Sequence, residues 1–211
     1  RANELIPQLK NWKKFDLSTF TEGIKRILYG MFLKVVFADN IGLIVDEMYL
    51  IDYNYASAID VMTMSFLFGF QIYFDFSAYF HIALGSALLF GIKIPENFNF
   101  PYISTSLKDF WKRWHISLSA WIRDYLYLPL SGKKVTNSSG LTGIGKVLGD
   151  LSKKRSNIAL FITWAIMGFW HGSNWTFLFW GLYHAIFIFL ERLLKPVRNK
   201  FSFLNYKISL S

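Results

Sequence analysis

Two uncharged apolar runs separated by four residues constrain this chain more than any other feature. Residues 157–170 (NIALFITWAIMGFW) and 175–190 (WTFLFWGLYHAIFIFL) carry no charge when His184 is neutral, and His171-Gly172-Ser173-Asn174 lies between them. Neither run alone reaches the roughly 20 residues that a spanning helix needs. Their outer flanks are basic, with Lys153, Lys154 and Arg155 before and Arg192, Lys195, Arg198 and Lys200 after. The positive-inside bias therefore places both ends on the cytoplasmic side, and the pair predicts a helical hairpin. A helical first arm of 14 residues climbs about 21 Å into a hydrocarbon core about 30 Å thick. The turn then lies below the far surface, with His171 inside the membrane, where an ionisable side chain is a functional candidate because it is costly to keep there.

Composition agrees with a polytopic membrane protein. The 211 residues are 53% apolar and only 18% charged, with a positive mean hydropathy of +0.29, where a soluble domain carries about 25% charge. The 22 Phe and 8 Trp suit lipid-facing helices and aromatic belts. A net charge of +9 would fit nucleic acid, but the basic residues sit beside apolar segments, where they orient helices and meet anionic headgroups; no nucleic-acid partner is expected, and the bilayer is. The absence of cysteine excludes disulfides, thiol nucleophiles and thiolate metal sites. The chain opens at Arg1 without an initiator methionine and is expected to be a fragment.

Along the chain, 1–20 reads as a polar, basic surface segment. Residues 24–45 carry Lys25, Arg26, Lys34 and Asp39, too many charges for a lipid-facing span unless they snorkel or face protein, and an amphipathic or tilted helix is expected. Residues 58–76 form the clearest spanning candidate, with a break expected near Ser77 before a second apolar stretch, 79–92. Pro95 and Pro101 end any helix there. In 107–130, Phe110, Trp114, Leu118, Trp121, Ile122 and Tyr125 follow helical spacing, with Lys108, Lys112 and Arg123 opposite. That pattern predicts one interfacial or re-entrant helix, closed by Pro129 and Gly132. Residues 131–156 read as a basic cytoplasmic loop with at most a short helix. No boundary divides the chain, so 1–211 is taken as one partial membrane domain.

Of the four histidines, His171 is the candidate general base, since a buried imidazole can take a proton from an alcohol near neutral pH. Gly172 permits a turn or close substrate approach beside it. His115 divides evenly between function and structure, His184 reads as a helix-packing group, and His81 is left open. Asp75 and the Arg123-Asp124 pair are membrane-proximal charges that also suit a structural network, and Asn174 suits a cap or turn as well as substrate contact. No close two-histidine spacing and no carboxylate adjacent to His171 supports a metal site, and none is expected. Neither a phosphate loop nor a nucleophile elbow is present. Residue chemistry alone leaves an enzyme, a proton-linked transporter or a cofactor site open.

The runs Asp109-Phe110-Trp111-Lys112-Arg113-Trp114-His115-Ile116-Ser117-Leu118-Ser119, Trp121-Ile122-Arg123-Asp124-Tyr125-Leu126-Tyr127-Leu128-Pro129-Leu130 and Trp170-His171-Gly172 with Trp175 resemble the membrane-bound O-acyltransferase superfamily, in its bacterial alginate O-acetyltransferase-like branch. Tyr73-Phe74-Asp75-Phe76-Ser77, Pro95-Glu96-Asn97-Phe98-Asn99 and Lys34-Val35-Val36-Phe37-Ala38-Asp39-Asn40 extend the resemblance over nearly the whole chain. Ser77-Ala78-Tyr79-Phe80-His81 departs from the more usual Ser-Gly-Tyr-Ser-Asp, and Ser131 stands where glycine often follows the Pro-Leu pair.

The resemblance implies an all-α, multipass transmembrane fold with short interfacial or re-entrant helices, in a bacterial cytoplasmic membrane. It implies transfer of an acyl group, typically acetyl, from a cytoplasmic thioester donor (acetyl-CoA or an acyl carrier), with no bound cofactor, towards an exported or cell-surface polysaccharide. A separate periplasmic or extracellular acyltransferase is the implied partner. His171 matches the family's catalytic histidine and His115 its second motif histidine. Asp75, Trp114, Arg123, Asn174 and Trp175 are candidates for the substrate path. The competing readings are a D-alanyl transferase for teichoic acid and a non-enzymatic transporter or scaffold; Leu126-Tyr127-Leu128-Pro129-Leu130 followed by Gly132 favours the alginate-type branch.

Overall fold

Several helix starts in this chain are set by side chains that accept from free backbone N–H groups. A short helix α1 (Ala2–Lys10) is followed by Asp16, whose carboxylate accepts from the N–H groups of Ser18 and Thr19 at 3.4 and 2.9 Å and so caps α2 (Leu17–Phe32). The helix continues through a π-helical turn, Leu33–Ala38, into α3 (Asp39–Tyr49). Ser57 and Asp60 form a reciprocal capping box at the start of α4 (Ala58–Leu89). The computed structural model describes residues 2–11, 16–52, 54–132 and 149–208. Their contacts form two compact units, Arg1–Asn97 and Phe98–Ser211, and the division falls inside the proline-bounded segment where the sequence showed no domain boundary.

Unit 1 is built on α2, α3 and α4. Gly23 on α2 and Gly85 on α4 meet backbone to backbone, so a Cβ added at Gly23 would lie 2.8 Å from the Gly85 carbonyl oxygen. Small residues at such a crossing let dispersion contacts hold helices where apolar burial gives no drive, as in lipid. The outer faces keep large apolar side chains exposed, Ile59 at 74% and Met62 at 72% among them, as lipid contact requires. Gln8 ties α1 to the chain beyond α4 by exchanging hydrogen bonds of 3.0 and 2.9 Å with the backbone of Lys93.

Two expectations change in this unit. The break near Ser77 does not occur: α4 runs unbroken for 32 residues, with Ser77 and Ala78 buried within it. The run 24–45 belongs to a helical rod, Leu17–Tyr49, that is long and apolar enough to cross a membrane. Three of the four charges named there are matched rather than left to lipid, because Lys34 pairs with Asp39 at 2.9 Å and Asp75 at 2.6 Å, and Arg26 pairs with Glu96 at 2.6 Å.

Unit 2 begins with a single 3-10 turn, Pro101–Ile103. The expected helix 107–130 is instead divided into α5 (Leu107–Arg113), α6 (Ile116–Ile122), a π-helical turn Arg123–Tyr127 and α7 (Leu128–Leu130). The break lies at Trp114-His115, where Trp114 is extended and His115 is left-handed with φ 43°. The periodicity survives across the break because α5 and α6 are each two turns long and apolar on one side.

After residues 133–148, which lie outside the described residues, α8 (Gly149–His171) and α9 (Trp175–Ile208) form the predicted hairpin. The helix therefore takes in 149–156, which were expected to be loop. Lys153, Lys154 and Arg155 are good helix formers, and Arg155 Nε donates to Leu130 O at 3.0 Å while the Tyr127 and Ser156 hydroxyls share a 2.6 Å hydrogen bond. Arg192 donates to Asn157 Oδ1 and to the Tyr127 hydroxyl, which closes the base of the hairpin. Near its middle, a Cβ at Gly181 would run into the Trp164 carbonyl, and one at Gly168 into that of Phe177. Leu160, Ala185 and Ile188 form the buried seam between the arms.

All regular structure among the described residues is helical. Leu17–Tyr49, Ala58–Leu89 and Trp175–Leu194 are long and apolar enough to cross a membrane; α8 is not among them. The chain is a membrane protein of all-α fold.

Candidate functional site

The hairpin turn and the break between α5 and α6 carry the two motif histidines. His171 is the last residue of α8 and is exposed on unit 2, because Gly172, Ser173 and Asn174 leave the helix at once. Asn174 is a cap: its Oδ1 accepts from the Thr176 N–H at 3.4 Å and its carbonyl from the Phe177 N–H at 3.1 Å. Trp175 starts α9 and is 69% exposed. Among the described residues the His171 ring makes no hydrogen bond. It is flanked by two indoles, Trp170 and Trp180, each edge-on with ring centroids 4.9 Å away.

His115 is held by local geometry. Its left-handed backbone costs about 1–2 kcal/mol for a residue with a Cβ, and the ends on either side are tied: the Ser119 N–H donates to His115 O at 3.0 Å and the Ser119 hydroxyl to Trp114 O at 3.2 Å. Arg113 bonds Asp109 at 2.8 Å, and its carbonyl accepts from the Asn99 N–H at 3.0 Å. Trp114 stacks on Phe110 at 5.6 Å and meets Phe98 edge-on at 5.0 Å. Burial holds the His115 imidazole below the ordinary histidine range, and charge on His171 pushes it lower still.

A cleft of about 470 Å3 in unit 2 lies beside these residues. Lys108, Lys112 and Arg123 line it with Trp111, Trp164 and Met167, so cations and apolar surface share one wall. Arg123 is partly neutralised by Asp124, 2.8 Å away and 5% exposed. Thr163 also lines the cleft, and its hydroxyl and the Trp111 Nε1–H are buried without a hydrogen-bond partner among the described residues. His171 is not in the lining. It lies on the face of α8 that carries Thr163 and Met167, at i, i+4 and i+8, about 12 Å beyond Thr163 along the axis.

The sequence candidates divide accordingly. His171, Asn174 and Trp175 sit at the hairpin turn, His115 and Trp114 at the α5–α6 break, and Arg123 on the cleft wall. Asp75 belongs to unit 1, where it pairs with Lys34. Thr163, Trp164 and Trp180 were not singled out from the sequence, although Thr163 and Met167 share helical spacing with His171. His184 packs as expected, stacked on Trp164 at 5.2 Å and edge-on to Trp180 at 4.7 Å and Trp111 at 5.2 Å. His81 meets Tyr29 edge-on at 4.8 Å within unit 1. No group of three or more side chains suited to hold a metal occurs among the described residues.

Comparison with known proteins gives the family of the chain. The model of the membrane-bound O-acyltransferase family, MBOAT, matches residues 3–144 and 146–210. The chain is 36% identical to the probable alginate O-acetylase AlgI of Azotobacter vinelandii, over 97% of this chain and 39% of that protein. It is 37% identical to the peptidoglycan O-acetyltransferase of Helicobacter pylori, over 98% of this chain and 36% of the relative. A teichoic acid D-alanyltransferase of Streptococcus thermophilus is 33% identical, over 88% and 43%. The chain thus spans well under half the length of these relatives.

Proposed function

Because this chain belongs to the membrane-bound O-acyltransferase family, we propose that it is the histidine-bearing part of a membrane-embedded O-acetyltransferase. In this reading the full protein sits in the bacterial cytoplasmic membrane as a multipass enzyme. It takes an acetyl group from a cytoplasmic thioester and passes it towards an exported or cell-surface polysaccharide, with a separate periplasmic or extracellular acyltransferase as partner. The observation that carries the reading is the placement of the two motif histidines in unit 2, His171 at the hairpin turn and His115 at the α5–α6 break.

The chemistry needs a proton acceptor and a path for a long donor. His171 accepts the proton of an acceptor hydroxyl as its oxygen attacks the thioester carbonyl. The tetrahedral carbon then expels the thiolate, the C–S bond breaks, and the imidazolium returns its proton to the sulfur, leaving an ester and a free thiol. Lys108, Lys112 and Arg123 suit the anionic end of an acyl carrier's arm, and the unused Trp111 N–H and Thr163 hydroxyl suit its polar atoms. The 12 Å between Thr163 and His171 leaves room for such an arm to extend to its thioester. Acetyl is favoured over D-alanyl as the transferred group, since the alginate O-acetylases and the peptidoglycan O-acetyltransferase are 34–37% identical to this chain and the teichoic acid D-alanyltransferases 30–33%.

Acyl transfer from labelled acetyl thioester, in membranes holding the full-length protein, tests the reading. His171→Ala is expected to lower transfer by about 10²- to 10⁴-fold, the range for a lost general base, at equal protein level. Transfer within twofold of wild type would remove His171 from the chemistry.

A further inference from the structure

A histidine used as a base is ordinarily oriented by a hydrogen bond to its second ring nitrogen. His171 has none among the described residues, and it ends its helix beside a glycine, so neither a polar partner nor a following turn fixes its ring. Two indoles flank it instead, near perpendicular to it with centroids 4.9 Å away. Trp170 is its neighbour on the same helix and is 62% exposed, which leaves Trp180 as the contact delivered from across the hairpin.

Trp180 is itself braced. One turn further along α9, His184 meets it edge-on at 4.7 Å and 73°, so the indole lies between two imidazoles at 4.7 and 4.9 Å. His184 is stacked on Trp164 at 5.2 Å and 27°, and Trp111 packs edge-on against both His184 and Trp164, at 5.2 and 4.8 Å. The box is anchored to the backbone where Gly181, next to Trp180, lies against the Trp164 carbonyl. Contacts of this kind are individually weak, about 0.5–1.5 kcal/mol each, but together they leave the Trp180 ring little room to rotate.

We propose that Trp180 is a positioning residue for His171, with His184 acting through it: the aromatic box sets the direction of the His171 ring in place of a carboxylate or carbonyl partner. This rests on His171 as the base of the proposed acyl transfer. A misplacement of about 1 Å at a reacting group can cost up to about 100-fold in rate, so the effect should appear in kcat and leave substrate binding nearly untouched. His184→Phe is the probe that keeps the ring, and it removes an Nδ1 that is buried without a partner among the described residues.

The test uses the full-length protein in membranes, with folded protein measured by gel filtration in detergent. Trp180→Ala is expected to lower kcat at least about tenfold, with KM for the acetyl thioester changed less than about threefold. Trp180→Phe should recover part of the loss, and His184→Phe should keep at least about a third of wild-type transfer. His184→Ala should lower kcat, and the double variant His184→Ala, Trp180→Ala should be no slower than Trp180→Ala alone, because residues acting through one contact are not additive. Unchanged kcat in Trp180→Ala, a loss confined to KM, or additive single effects overturn the proposal. If Trp180→Ala does not fold, the same comparison is made with Trp180→Phe and His184→Ala, and kcat for both within twofold of wild type overturns it. His171→Ala run in parallel separates the two readings. Retained transfer there defeats the general-base assignment; lost transfer there with full transfer in folded Trp180→Ala defeats only the positioning role.

Discussion

Each unit contains a π-helical turn, and the chain uses the two differently. In unit 1 the turn Leu33–Ala38 sits inside a rod that carries on to Tyr49, and Asn40 Nδ2 donates to the Val35 and Val36 carbonyls at 3.0 and 2.9 Å. The irregularity is locally satisfied and the helix continues. In unit 2 the turn Arg123–Tyr127 follows a left-handed break at His115 and leads to a helical piece of only three residues. Unit 1 also leaves buried polar atoms without partners among the described residues, Gln71 Oε1 and His81 Nδ1, but these are ten residues or about 15 Å apart on α4. Those of unit 2, on Trp111, Thr163 and His184, gather around one aromatic box and one cleft wall. Unpaired polar groups are costly when buried. Scattered in unit 1, they read as packing compromises; in unit 2, those of Trp111 and Thr163 share one cleft lining and that of His184 lies in the aromatic box against Trp111.

That contrast can be broken most directly at the two glycine crossings. Gly181→Val in unit 2 and Gly85→Val in unit 1 both force a Cβ-branched side chain into a backbone contact, which by overpacking costs about 1–3 kcal/mol. Folded protein should fall in both variants. Only Gly181→Val should also lower transfer per folded molecule, by about tenfold, because it displaces Trp180. Equal specific activity in the two variants would show that the hairpin crossing is scaffold like the other.

The next largest effect is expected at His115. His115→Asn, which tolerates the left-handed backbone, should retain more folded protein than His115→Ala, since asparagine visits that region readily. Its neutral ring also sets a pH dependence. The folded value lies below the ordinary 6.5, so the unfolded state binds the proton first. Stability is full above about pH 6.5 and is lost as pH falls from there through the lowered folded value. Thermal unfolding in detergent across that window should show a shallower loss for His115→Asn than for wild type.

The ion pairs of unit 1 should matter less and in a set order. Asp75→Asn leaves Lys34 paired with Asp39 and should lower folded yield only slightly. Lys34→Met strands two carboxylates in a candidate span and should lower folded yield more than Asp75→Asn. The reverse order would mean that Asp75 serves something other than Lys34. The smallest effect belongs to Asp16. Hydrogen bonds from the Thr19 side chain and backbone hold its carboxyl below the usual 3.8, so the cap is intact above that value and fails as pH drops through the lower folded one. Asp16→Ala should lower the unfolding temperature slightly at neutral pH and not at all at the acid end.

The hairpin was legible because its signal is compositional: two uncharged runs, basic flanks and a glycine beside the turn leave little else for the chain to do. The helices of unit 1 were legible in part. Charge at Lys34 and Asp39 argued against a span because a sequence shows the cost of a charge and not its partner; Asp75, 41 residues from Lys34, supplies the partner. The expected break at Ser77 was wrong for a related reason, since a serine that marks a helix end in water is tolerated inside α4 once buried. The break at Trp114-His115 was invisible because α5 and α6 keep one helical period across it.

The sequence by itself determined the family, the all-α membrane class, the hairpin and the two motif histidines, because these rest on residue identity and on spacings within single segments. Only the tertiary structure decided that Trp180 reaches His171, that His184 stands behind it, and that Thr163 and Trp111 share a wall with Lys108, Lys112 and Arg123. The first joins residues nine positions apart across the crossing at Gly168 and Gly181, and the last joins α5 to α8, with Trp111 and Thr163 52 positions apart. The direction of a side chain across a helix crossing depends on how closely two backbones approach, and no periodicity within either helix records that distance.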